Sequence, residues 1–188
     1  GMMMRKRVLL SVLGIAILLA VSVFLIGCGE KPVAEKDTGE QKIKVTDLSG
    51  REVEIAVPAE RVVAIGASLR LVCYVNGADK VVGIEELEKN NPTGRPYYMA
   101  NAELLKDLPI IGPGGPETQP DAEKLVSVKP DVIFSCLTDK AQADELQKKT
   151  GIPVVVLDYG TLSTFSQEVY DSLKLIGKII GEEKRAQE

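Results

Sequence analysis

The 188-residue chain carries 27 acidic and 23 basic side chains, three cysteines and no histidine, for a formal net charge of −4. Without histidine there is no Ser-His-Asp triad, no Cys-His pair and no imidazole ligand for zinc or haem iron. An acidic balance with no basic run beyond the amino terminus argues against nucleic acid, and three cysteines supply no disulfide framework.

The amino terminus reads as an export signal: Arg5, Lys6 and Arg7 precede an uncharged apolar run from Val8 to Ile26. That run is long enough to span a bilayer, so an uncleaved anchor helix is the alternative. Leu25-Ile26-Gly27-Cys28 resembles the bacterial lipoprotein box, in which a small residue precedes the cysteine that is lipidated. The reading is therefore a signal peptide over residues 1–27 with lipidation at Cys28. Residues 28–42 are polar and charged without apolar period, a tether. Loss of the leader removes three basic residues and no acid, leaving the remainder more acidic.

Ile43 to Val57 alternates apolar and polar residues about Ser49-Gly50 and predicts a hairpin. Arg61 to Ile65 is a buried strand closed by Gly66. The following helix, opened at Ala67 or Ser68, carries Leu69, Val72 and Cys73 on one face and stops at Asn76-Gly77. Cys73 reads as a core thiol; a Cys73–Cys136 disulfide is the alternative that the spacing does not require. Lys80 to Ile84 is the next strand. Glu85 to Met99 reads as a loop, broken by Asn90, Asn91, Pro92, Gly94 and Pro96, with a short helix over 101–106. Pro109 to Ile111 is a brief strand ending in the glycine-proline turn at 112–116.

The stretch from Pro120 to Phe134 predicts a helix capped at Pro120 or Asp121 with Leu125 and Val128 inward. Pro130 breaks it, and Val132 to Phe134 forms a strand covered on both faces. A helix over 140–149 ends at Gly151, a strand runs from Pro153 to Leu157, and Asp158-Tyr159-Gly160 is a loop. From about Ser163 a long helix presents Phe165, Val169, Leu173, Ile176 and Ile180. Strands alternating with helices mean a parallel sheet with right-handed crossovers. Gly112 to Gly115 lacks the residues and spacing of a phosphate loop and reads as a turn.

Six strings in order, TDLSGREVEI, ERVVAIGASL, GADKVVGIEE, DAEKLVSVKPDVIF, TGIPVVVLD and LIGKIIGEEKRAQE, resemble the class III periplasmic binding proteins. These are the substrate-binding lipoproteins of ABC importers for iron siderophores, haem and cobalamin. The resemblance implies an α/β fold: the parallel-sheet amino-terminal lobe of a two-lobed protein, with an N-terminal β-hairpin and the start of a long interlobe helix. The lobe would span residues 43–160 and the helix 161–188, with no counterpart of the carboxyl-terminal lobe. It implies a binding module and not an enzyme, with no catalytic residue and no cofactor. The protein would capture a ferric siderophore first, haem or cobalamin otherwise, and deliver it to an ABC permease. Its place would be outside the cytoplasm, lipid-anchored on the membrane. A single-lobe accessory or sensor protein and a chelatase-like enzyme are the alternatives.

By the same resemblance, Glu123 is the carboxylate that docks the lobe on the permease; an ordinary exposed helix acid is the bland alternative. Ligand contacts are expected from the loops at the carboxyl ends of the strands: Ser68, Arg70, Arg95, Tyr97, Tyr98, Gly114, Gly115, Cys136, Thr138 and Tyr159. Arginine suits the carboxylates of an anionic chelate, and tyrosine gives flat apolar area with a polar tip. Loop packing is the alternative for Tyr97 and Tyr98, and a surface salt bridge for Arg70.

Overall fold

The computed structural model describes residues 40–160 and 166–188. The leader, Cys28, Ser163 and Phe165 lie outside the described residues. Among those described, no helix is long and apolar enough to cross a membrane.

The hairpin forms as its alternation predicts. β1 (Gln41–Thr46) pairs antiparallel with β2 (Glu52–Val57), Val45 opposite Val53 and Ile43 opposite Ile55. The strand begins inside the segment read as tether, because Gln41 and Lys42 find partners in Val57 and Ala56.

Among the described residues, β3 (Val62–Ile65), β4 (Val81–Glu85), β5 (Ile110–Gly112), β6 (Val132–Ser135) and β7 (Val154–Val156) form a parallel sheet in the order β5-β4-β3-β6-β7. Side-chain alternation splits each central strand between two cores. Val62, Ala64, Val132, Phe134 and Val155 face one. Val63, Ile65, Ile133, Val154 and Val156 face the other.

The first core is closed by the hairpin, by α1 (Leu69–Tyr74) and by α7 (Gln167–Ile180). The second is closed by α5 (Ala122–Ser127) and α6 (Lys140–Thr150). Asp121 caps α5 by accepting from the Glu123 and Lys124 amides, while Leu125 is fully buried. α6 opens on a reciprocal Asp139–Gln142 capping box and closes at Gly151 in the left-handed conformation.

Several expectations change. Glu85 to Met99 is not a loop throughout: Glu85 ends β4, and α2 (Glu86–Asn90) and α3 (Pro96–Ala100) flank the Pro92–Gly94 break. Pro96 occupies the first helical turn, where its missing N–H costs nothing. A short α4 (Ala102–Leu105) follows. In α1, Leu71 is fully buried beside Leu69 and Val72, whereas Cys73 is only half-buried. Cys73 and Cys136 are both free thiols, so the disulfide alternative falls.

The last helix is divided. α7 ends at Gly181, at φ +80°, and α8 (Glu183–Gln187) folds back on it. A Cβ at Gly177 would lie 2.7 Å from the Ala186 Cβ, so glycine allows this approach.

The hairpin turn covers the edge strand β7, whose free N–H and C=O groups would otherwise be open. The Leu48 amide donates to the Val156 carbonyl at 3.0 Å, and the Val156 amide donates to Asp47 Oδ2 at 3.1 Å. Arg51, 5% exposed, donates to Asp47 Oδ2 at 2.9 Å, the Val154 carbonyl at 2.7 Å, Asp144 Oδ1 at 2.7 Å and Gln147 Oε1 at 3.0 Å. Burial would raise the Asp47 pKa. Hydrogen bonds from Ser49, Arg51 and Val156 outweigh it and hold the carboxyl below its ordinary value.

Removing one member of a buried, hydrogen-bonded ion pair strands the other. Asp47→Ala is therefore expected to lower stability by about 3–5 kcal/mol in urea unfolding at neutral pH. Because the folded-state pKa lies below the unfolded one, the wild type holds this contribution above the ordinary carboxylate range. It loses it as pH falls through the folded value, so the two proteins converge in acid; a pH-independent difference would contradict the clamp.

Candidate functional site

The sheet order fixes where a ligand can enter. From β3 the chain winds outward through β4 to β5, then crosses back to place β6 on the other side of β3. The loops after β3 and β6 therefore leave in opposite directions and open a crevice at the strands' carboxyl ends.

A cavity of about 60 Å³ lies there. The ends of β3 (Ile65, Gly66), β4 (Glu85) and β6 (Ser135 to Thr138) line it, with Gly115 and the 117–120 segment. Its floor is set by backbone contact. Gly66 has φ +59°, and a Cβ there would lie 2.2 Å from the Cys136 carbonyl oxygen, so only glycine lets the two loops meet. The Ser68 hydroxyl donates to the Ile65 and Phe134 carbonyls at 2.7 and 3.0 Å, tying the two strand ends together. Ser68 is fully buried. It holds the rim's geometry and does not reach the crevice as a ligand contact.

Of the remaining predicted residues, Gly115, Cys136 and Thr138 line the cavity. The Thr138 hydroxyl donates to the Cys136 carbonyl at 3.0 Å and contacts the Ser135 hydroxyl. Burial pushes the Cys136 thiol up to about 12; the Asp158 charge adds to the rise and the Arg70 charge opposes it. Cys136 is thus a neutral wall group. Gly114, at φ +77°, would place a Cβ 3.0 Å from the Cβ atoms of Glu85 and Leu87, so the glycine-proline turn closes tightly over β4.

Tyr159, about a third exposed, lines a second, open cleft of about 590 Å³ beyond β7, which shares Thr138 and Gln142 with the first cavity. Arg70 is half-buried, and its Nε has no hydrogen-bond partner among the described residues.

Arg95, Tyr97 and Tyr98 stand elsewhere. Arg95 lies 3.3 Å from Glu88 and also donates to the Asn91 carbonyl. The Tyr97 hydroxyl donates to Glu88 at 2.7 Å. Burial raises the Glu88 pKa, opposed by Tyr97 and Arg95. Burial and the Glu88 hydrogen bond push the Tyr97 hydroxyl upward in turn. Tyr98, 4% exposed, packs in the first core, so the loop-packing alternative holds for it. Glu123 is solvent-exposed on α5, away from the crevice lining.

The residue that sequence reasoning missed is Glu85. It ends β4 at 8% exposure and lines the cavity, accepting the Gly66 amide at 3.1 Å. Burial raises its pKa to about 7; Glu88 adds to the rise and the Gly66 amide opposes it. An acid at the end of the apolar run VVGI was the one available signal.

The family model described as periplasmic binding protein matches residues 62–188. The ABC transporter substrate-binding lipoprotein YvrC of Bacillus subtilis (strain 168) is 30% identical over 179 residues, 91% of this chain and 52% of the relative. Staphylococcus aureus SirA, solved with staphyloferrin B, is 27% identical at a TM-score of 0.52, covering 77% of this chain and 44% of that one. The catecholate-siderophore binding protein VctP of Vibrio cholerae is 21% identical at a TM-score of 0.60, covering 78% and 48%. The chain thus spans about half the length of the relatives it matches.

The raised Glu85 pKa has a defined consequence for stability. Above the unfolded value the unfolded chain ionises first, so Glu85 lowers stability as pH rises from about 4.5 to about 7. Glu85→Gln is expected to be more stable relative to wild type at pH 8 than at pH 4, by on the order of 3 kcal/mol. Denaturant unfolding at the two pH values measures this, and an unchanged difference would show that Glu85 ionises freely.

Proposed function

The chain belongs to the periplasmic binding protein family, and on that premise we propose that it captures a metal chelate outside the cytoplasm for an ABC importer. The observation that carries this reading is the polar crevice at the carboxyl ends of the parallel sheet, at the point where strand order reverses. A ferric siderophore is the first candidate ligand, supported by the siderophore complexes or names of SirA and VctP. Haem and cobalamin stand behind it. The protein acts as a binding module: Cys136, the thiol in the crevice, is a neutral wall group, and the relative YvrC is a substrate-binding lipoprotein. Residues 43–160 form the ligand lobe and those from 161 lead toward a second one, with the chelate held between them. On this lobe Thr138 and Tyr159 contact the chelate, and Arg70 approaches from the side of Cys136.

Glu123 docks the lobe on the permease. It is exposed on a helix whose opposite face is fixed by buried Leu125, and Val126, half exposed, adds an apolar contact one turn on. A charged group at such a transient interface acts through steering and specificity. Cys28, lipidated, holds the protein at the outer face of the membrane, since two or more acyl chains anchor firmly.

Intact mass spectrometry of the whole protein with ferric siderophores, haem and cobalamin tests the ligand class; binding of none of them would defeat the reading. In cells, Glu123→Arg is expected to leave the unfolding midpoint unchanged and cut chelate uptake at least tenfold. Wild-type uptake by that variant would remove the docking role. Cys28→Ser is expected to move the protein from the membrane to the soluble fraction, and retention on the membrane would favour an uncleaved anchor helix.

A further inference from the structure

Glu85 stands outside the roles assigned above. It is more than nine-tenths buried, yet it lines the cavity and does not close against a cation. Its Oε1 takes the Gly66 amide, and Oε2 has no hydrogen-bond partner among the described residues. Among the cations near this acidic patch, Arg95 is held by Glu88 and the Asn91 carbonyl, and Lys80 by Glu60.

The rest of the lining has the same sign. Glu117 is its second carboxylate, and no lysine or arginine among the described residues lines it. The Ser135 and Thr138 hydroxyls donate to the Cys136 carbonyl at 2.9 and 3.0 Å. The two hydroxyls also hydrogen-bond each other, so one proton is shared between them and their remaining lone pairs face the cavity. The lining thus carries two carboxylates, with the Gln119 and Gln142 amides as its neutral side-chain donors. A carboxylate or phosphate placed here would meet Glu85 without a compensating charge.

We propose that this cavity receives a cationic N–H donor, the primary ammonium end of the captured ligand, with Glu85 as its counter-ion. The Ser135 and Thr138 hydroxyls accept its further protons. This rests on the crevice being the ligand site, and it narrows the ligand class to chelates that carry a free amine. The volume of about 60 Å³ admits a terminal group of a few heavy atoms. The anionic face of a chelate is left to the outer cleft beyond β7 and to Arg70.

The charge of Glu85 is set by the groups that face it. Burial raises its pKa to about 7, with Glu88 from α2 adding to the rise and the Gly66 amide opposing it; among the described residues, Glu117 and the neutral Cys136 thiol are the other titratable groups of the lining. Capture of a cation should therefore weaken as Glu85 is protonated, by roughly thirtyfold between pH 8.5 and pH 5.5 for a group of this pKa.

The test is an NMR titration of the whole protein with methylammonium chloride, read at the Gly66 amide, with sodium acetate and sodium chloride at equal ionic strength as controls. Saturable shifts are expected with methylammonium at pH 8.5, with none from the two sodium salts. Glu85→Gln, which keeps the acceptor for Gly66 and removes the charge, should weaken methylammonium binding at least tenfold. The wild-type pH series tests the same point without a variant. An acetate response equal to that of methylammonium, or methylammonium binding unchanged by pH, would overturn the assignment. If ferric chelates bind in the mass-spectrometric assay while methylammonium does not, this inference fails and the capture reading stands. If methylammonium binds and no chelate does, the cation site at Glu85 stands while the capture reading, and with it the chelate as the source of the amine, fails.

Discussion

The approach of two backbones, Gly66 against the Cys136 carbonyl, decides the shape of everything at the functional end of this protein. β3 and β6 are neighbours in the sheet but their loops leave in opposite directions, so the ends of these two strands must be fastened to leave a defined crevice. Glycine removes the side chain that would hold them apart, and the Ser68 hydroxyl bridges the Ile65 and Phe134 carbonyls. Both devices act on main-chain atoms. They position a crevice without prescribing what lines it, which suits a fold that carries different ligands on one scaffold.

Charge in the lining follows from a competition between neighbouring acids. Glu85 and Glu88 sit one turn apart at the end of β4 and the start of α2, both nearly buried. Arg95 and Tyr97, brought in by α3, both go to Glu88. Glu85 receives a single backbone amide. Two carboxylates close in sequence thus differ in environment: one is structural and satisfied, the other faces a cavity with a pKa near neutrality. The separation comes from α3, the element that the loop reading left out.

At the far side of the sheet the hairpin solves a different problem. A short parallel edge strand exposes ladder groups that invite another strand. Asp47, Leu48, Arg51 and Gln147 satisfy the Val154 and Val156 amides and carbonyls. The hairpin also contributes Val45, Val53 and Ile55 to the core, so sealing the edge and burying apolar area are one event. The string TDLSGREVEI combines both functions: its acid and arginine form the clamp, and its alternating valine and isoleucine form the packing.

By itself the sequence determined the parallel α/β architecture, the hairpin, most strand and helix positions and the family. Apolar periodicity and the turn residues Gly50, Asn76, Pro130 and Gly151 are local signals that survive without knowledge of contacts. Several expectations failed where local signals are silent. Pro92, Gly94 and Pro96 read as loop although Pro96 starts a helix. Ser68 and Tyr98 read as rim groups although packing draws them inside. Only the tertiary structure decided that Arg95 pairs with Glu88, that Glu85 faces the cavity, and that Gly181 turns the last helix back. Burial and pairing depend on residues tens of positions apart meeting in space, and no one-dimensional period encodes which of two neighbouring carboxylates will find the cation.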